Sequence, residues 1–285
     1  MALLIAAIWI VERAETPRDV PVRPQSPAER PVVAVPPPPL NRAGLIDAAA
    51  RAADAHARGV PSPPDIGGLV GRRFTLKLPF GCSGPASEDQ EMPFRWRYDV
   101  EQETLRASVT PEVWTKATFL KSIVAAKPFE AAEGFWIARP WIRIGDCPAQ
   151  PQVPPEQPPT EAPETAAPPR ESGGEREMPA ETLAPVRRET LGIVELFEPG
   201  SRRAARRNGS PYELVTKIAP NQIDLSRGLR LVIEGRLAPL AGPQPIACQA
   251  REGEDRPPLC LIGVNVDRVA ITGASGQRVL AEWAD

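Results

Sequence analysis

Apolar and polar residues alternate with a period of two in several short runs, the pattern of strands buried on one face. Residues 74–80 (F-T-L-K-L-P-F) form one such run, and residues 94–98 (F-R-W-R-Y) interleave aromatic and basic positions in a second. Leu105, Ala107 and Val109 resume the alternation after a turn at 99–104, which predicts a hairpin. Aromatic-aliphatic pieces at 135–137 and 141–142 follow. Later runs cover 192–197, 229–237, 245–249, 259–271 and 279–283, separated by turn signals at Pro199-Gly200, Asn208-Gly209 and 273–276. Residues 119–126 fit either a strand or a short helix.

One stretch departs from that period. Residues 41–58 (N-R-A-G-L-I-D-A-A-A-R-A-A-D-A-H-A-R) are alanine-rich, with charges three to four apart, and predict a helix. Asn41 suits the N-cap, and Gly59 the position just beyond the C-terminal end. His56, the single histidine, falls on this helix and reads as a surface residue.

Between the periodic runs lie two stretches that no period fits. Residues 16–40 hold nine prolines, including Pro36-Pro37-Pro38-Pro39, and read as a polyproline-II stalk rising about 3.1 Å per residue. Residues 148–185 hold eleven prolines and seven glutamates against two arginines, an acidic segment that predicts disorder. The expected fold class is therefore mostly β. Two small β-rich units, sandwich- or barrel-like, lie at 69–148 and 186–285, joined by a disordered Pro/Glu-rich linker at 149–185. A Pro-rich stalk at 14–40 and an Ala-rich helix at 41–59 precede them.

Composition adds the setting. Proline accounts for 37 of the 285 residues, more than twice the ordinary usage of about 5%. The net charge of −2 gives no footprint for nucleic acid, and none is expected as a partner. Residues 2–11 (A-L-L-I-A-A-I-W-I-V) are apolar and uncharged, shorter than the roughly 20 residues of a spanning helix. Segment 1–13 reads as the outer half of a membrane anchor whose start lies upstream of Met1, with a short signal sequence as the alternative. Either route puts the rest of the chain outside the cytoplasm. The expected location is the inner membrane facing the periplasm, or a secreted form.

The four cysteines, Cys82, Cys147, Cys248 and Cys260, contain no C-x-x-C pair. They predict two disulfides in an oxidising compartment. Cys82–Cys147 and Cys248–Cys260 are favoured among the three connectivities because each pair stays within one predicted unit. Idle thiols in a cytosolic protein are the alternative.

Chemistry is harder to find. Residues 269–279 (V-A-I-T-G-A-S-G-Q-R-V) resemble the start of short-chain dehydrogenase-like domains over T-G-A-S-G-Q. Val279 stands where the third glycine belongs, and nine residues after Gly276 cannot supply a helix and a second strand. The stretch is better read as a hairpin, with no cofactor. No metal-ligand spacing, nucleophile elbow or diagnostic carboxylate pair is present, so no catalytic or metal residue is assigned. Two candidate binding features stand out. Arg202, Arg203, Arg206 and Arg207 form a basic cluster suited to an anionic partner. Trp96, Tyr98, Trp136 and Trp141, interleaved with Arg95, Arg97, Arg139 and Arg143, form a candidate aromatic platform.

Together these features point to a non-enzymatic, membrane-tethered periplasmic protein that binds an envelope protein or polymer, or scaffolds the envelope. Its order of anchor, proline-rich spacer and compact C-terminal unit is similar, in layout alone, to that of periplasm-spanning adaptor proteins. An anchored or secreted hydrolase with a carboxylate-based site is the rival reading.

Overall fold

The computed structural model describes residues 36–87, 92–124, 128–148, 190–201, 209–251 and 256–284. The 1–13 segment, nearly all of the stalk, the 149–185 linker and the 202–207 cluster lie outside them. The element order is α1 (Arg42–Ala57), α2 (Pro64–Gly67), β1 (Arg73–Phe80), β2 (Phe94–Asp99), β3 (Thr104–Val109), β4 (Glu112–Val113), α3 (Thr118–Ile123), β5 (Ala131–Trp136), β6 (Leu191–Phe197), β7 (Tyr212–Lys217), β8 (Leu229–Leu237), β9 (Ile246–Gln249), β10 (Leu259–Gly273) and β11 (Val279–Ala284).

The fold is mostly β, as the alternation predicts. Helix α1 begins where expected: the Asn41 side chain accepts from the Gly44 N–H, and Gly59 takes a positive φ after the last turn. Of residues 119–126, those up to Ile123 lie in the short helix α3. The β2–β3 hairpin has Phe94 opposite Val109 and Tyr98 opposite Leu105. The β10–β11 hairpin, with Ile271 opposite Ala281, occupies the stretch that resembles a cofactor loop.

Two independent units do not form. Residues from Pro38 onward make one compact unit, and strands from both sides of the proline-rich segment pair in both sheets. The larger sheet runs β1-β8-β10-β6-β5-β4, with β9 and β11 also on β10; the smaller runs β2-β3-β7. Thus β1 pairs β8, β5 pairs β6 and β3 pairs β7 across the boundary between the predicted units. The physical reason is that neither half can satisfy itself. A lone two-stranded hairpin is marginal in water, and β5 without β6 would leave a bare edge of backbone donors and acceptors.

The long strand β10 organises the larger sheet. Its first half lies between β9 and the parallel β6, its second half between β8 and β11. A bulge between Val266 and Arg268 shifts the register, so Val264 and Val266 before it share a buried cluster with Val269 and Ile271 after it. Opposite the bulge is Gly235, where any Cβ would strike the Asn265 carbonyl oxygen. In the gap between the ends of β6 and β11, the Glu195 carboxylate accepts from the Val266 N–H at 3.0 Å.

The core is built in rows. Leu78, Leu231 and Ile271 stand side by side across β1, β8 and β10, and Leu76, Ile233 and Val269 form the next row. The smaller sheet turns Trp96, Leu105, Ala107, Val109, Tyr212 and Leu214 onto this face, and α1 adds Leu45, Ala48 and Ala52. A seam of rings joins the sheets: Phe80, Phe94, Phe135, Tyr212 and Trp283 meet in sequence, with centroids 5.2–6.5 Å apart. A second, smaller cluster packs Trp114 and Leu120 on Ala132, Val194 and Leu261.

Both expected disulfides form. Cys248 and Cys260 are cross-strand neighbours on β9 and β10, Cα atoms 4.0 Å apart. Cys82, just past β1, joins Cys147 with Cα atoms 5.4 Å apart.

Candidate functional site

Residues 137–147 leave β5 as irregular backbone, yet side chains pin this strap along its length. Arg42, the first residue of α1, is the chief pin. Its Nε donates to the Ile142 carbonyl at 2.9 Å, and its Nη2 to the carbonyls of Ala138 at 2.6 Å and Arg139 at 3.3 Å. Arg143 pairs with Asp47 of α1 at 2.6 Å, Asp146 pairs with the buried Arg230, and Cys147 closes the strap through its disulfide. Arg139 holds a positive φ of 51° where the chain turns before Pro140.

Two clefts flank the wall made by Phe94, Trp136, Ala138 and Arg139. One, of about 320 Å³, lies between the strap and the end of β1; Arg42, Phe80, Met92, Ile142, Ile144 and Asp146 also line it. The other, of about 350 Å³, is lined by Thr110, Glu112, Phe135, Pro140 and Trp141 besides the shared wall. Both are largely apolar with a few polar groups, the usual make-up of a ligand site.

The electrostatics of the first cleft are unusual. Arg42 is only 5% exposed. Three neutral carbonyls satisfy Nε and Nη2, while Nη1 has no hydrogen-bond partner. Burial, and then the nearby charge of Arg139, hold its pKa below the ordinary arginine value. The one carboxylate among the described lining residues, Asp146, is engaged by Arg230. In the second cleft, Glu112 Oε2 accepts the indole N–H groups of Trp114 and Trp136, each at 2.9 Å, while those rings pack tilted against each other with centroids 4.6 Å apart. Gly134 on β5 makes room for them, since a Cβ there would strike Trp114.

The structure divides the four predicted platform aromatics. Trp96 is a core residue, 5% exposed, with its indole N–H on the Gly81 carbonyl at 3.3 Å. Tyr98 bonds the Ile218 carbonyl through its hydroxyl at 2.7 Å. Trp136 belongs to the shared wall, and Trp141, 75% exposed, to the second cleft. So two of the four meet, and all four do not form one surface. Arg95 and Arg97 alternate with Trp96 along β2 and therefore face away from it. With Arg106 they line an open depression on the outer face of the smaller sheet. The basic cluster Arg202, Arg203, Arg206 and Arg207 lies outside the described residues.

Arg42 and Arg139 are the site residues that sequence reading did not single out in their present roles. An arginine in an alanine-rich helix reads as a solvated charge. The only local signal was Arg139-Pro140, a dipeptide that favours a turn.

Among the described residues, no cluster of three His, Cys, Asp or Glu side chains could hold a metal ion, and no helix is long and apolar enough to cross a membrane. No protein-family model matches the chain, and no match is found among curated proteins or solved structures.

Proposed function

We propose that this chain is a membrane-tethered periplasmic binding module without enzymatic activity. Segment 1–13 holds it at the inner membrane, the proline-rich stalk spaces it away, and the β unit presents the strap to an envelope protein or polymer. The observation that carries this reading is Trp141. A large aromatic left mostly in water, on backbone already fixed by an ion pair, a guanidinium and a disulfide, is suited to be an anchor of recognition. Because the strap is pinned beforehand, little ordering cost falls due on binding. The two disulfides fit an oxidising, extracytoplasmic compartment. The hydrolase reading finds less support, because the carboxylates lining the clefts, Glu112 and Asp146, are already held by two indoles and by Arg230.

The test places a photo-crosslinking side chain at Trp141 in the full chain in living cells, with Val100, also exposed on the β2–β3 turn, as the control. A discrete adduct from position 141 that is absent from position 100 is expected. Identical patterns from both positions would sink the proposal. Thiol alkylation in the same cells addresses the compartment: four modified cysteines would overturn the periplasmic location.

A further inference from the structure

We infer that the cleft between the strap and the end of β1 binds a small amphipathic monocarboxylate. Arg139 takes the carboxylate beside the buried charge of Arg42, and Met92, Phe94, Ile142 and Ile144 take the apolar body.

The argument begins with charge. A buried guanidinium is costly unless paired with an opposite charge. Carbonyl dipoles satisfy Nε and Nη2 of Arg42 but supply no counter-charge, and its Nη1 is left without a partner. A second cation, Arg139, lines the same cleft, and the single carboxylate among the described lining residues is committed to Arg230. An anion is therefore what the described lining lacks. Guanidinium forks match a planar carboxylate.

Shape and polarity narrow the ligand further. About 320 Å³ is near the lower end for small-molecule sites, roughly 300–1,000 Å³. Met92 and Ile144 on the lining are 45% and 62% exposed, apolar surface that a ligand body would cover. A doubly charged phosphate would set a second charge against a mostly hydrocarbon wall. One negative charge on an apolar body fits both halves of the cleft. Trp141 lines the neighbouring cleft and not this one, so this assignment stands or falls apart from the crosslinking at position 141.

Isothermal titration of the full, oxidised chain with decanoate and with decan-1-ol separates the charge from the chain. Decanoate is expected to saturate a single site, with decanol at least about 10-fold weaker, the range of one charged hydrogen bond. Arg139→Gln, which leaves the Arg42 contacts in place, should weaken decanoate about 10-fold with an unchanged melting curve. Equal binding of decanoate and decanol, an indifferent Arg139→Gln, or no saturation at millimolar decanoate would overturn the assignment. A second arm compares acetyl-Ala-Leu-Leu as free acid and as amide. An acid that outbinds both its amide and decanoate supports the assignment and identifies a polypeptide C-terminus as the source; decanoate binding tighter supports it and identifies a free acyl chain.

Discussion

The sheet core and the strap are held by opposite means. In the core, Leu78, Leu231 and Ile271 and the rows beside them are held by contacts that are individually weak, undirected and many. In the strap, one guanidinium, two ion pairs and one disulfide do the holding, and each acts at a single point. Loss in the first kind of region is shared by the whole molecule. Loss in the second should stay local. The two disulfides show the same divide: Cys248–Cys260 joins residues that the β9–β10 ladder already aligns, whereas Cys147 has no ladder to hold it.

Four measurements would break or sharpen this contrast. The largest effect is expected from Leu231→Ala, which opens a cavity in the central row; a loss of up to about 5 kcal/mol in chemical denaturation is expected. Strap amides such as that of Ile142 should weaken only as much as the rest. Removing Cys82 and Cys147 together opens a crosslink spanning 65 residues, for which loop entropy predicts about 4 kcal/mol as an upper figure. Cys248 and Cys260, separated by 12, should give about 3 kcal/mol. Hydrogen exchange makes the distinction: only the first pair should speed exchange selectively in the strap, and uniform acceleration in both variants would refute the contrast.

Arg42→Ala should cost about 2–3 kcal/mol, the range for hydrogen bonds from a charged donor, again with strap exchange leading. Asp47→Asn removes an exposed ion pair and should cost no more than about 1 kcal/mol, vanishing in high salt.

Acid probes the sheet side instead. Arg268 donates to Glu282 on β11 at 2.7 Å and holds its carboxyl below the ordinary glutamate value. The Arg51 guanidinium does the same for Asp65. A lowered folded-state pKa stabilises above the unfolded value, about 4, and that gain is lost as pH falls through the folded value. Glu282→Gln should therefore flatten the fall in denaturation midpoint between pH 5 and pH 3. An unchanged slope would remove this pair from the acid response.

Much of the local structure was legible. Strand β8 matches its predicted run, β1 extends its run by one residue, Asn41 caps the predicted helix, and both cysteine pairs join as their positions suggested. What failed was partnership over distance. The aromatic-aliphatic run at 135–137 marks the end of β5 but carries nothing about β6 as its neighbour some 55 residues on. A proline-rich gap looks like a domain boundary whether or not the strands beyond it return. Strand β7, in Y-E-L-V-T-K, is not among the predicted runs. The site was legible only in Trp136 and Trp141. Arg42 could not be found from spacing, since its role depends on a strap whose course the sequence pattern does not encode.

The position of β10 has a consequence for synthesis. The strand on which β6, β8, β9 and β11 all pair is the second-last of the described strands in chain order. Until it emerges, the larger sheet has no centre, although Cys82 and Cys147 have long been available to each other. A growing chain can therefore pair β5 with β6 and complete the smaller sheet, but it cannot join β1-β8 to β6-β5-β4 until β10 has been made.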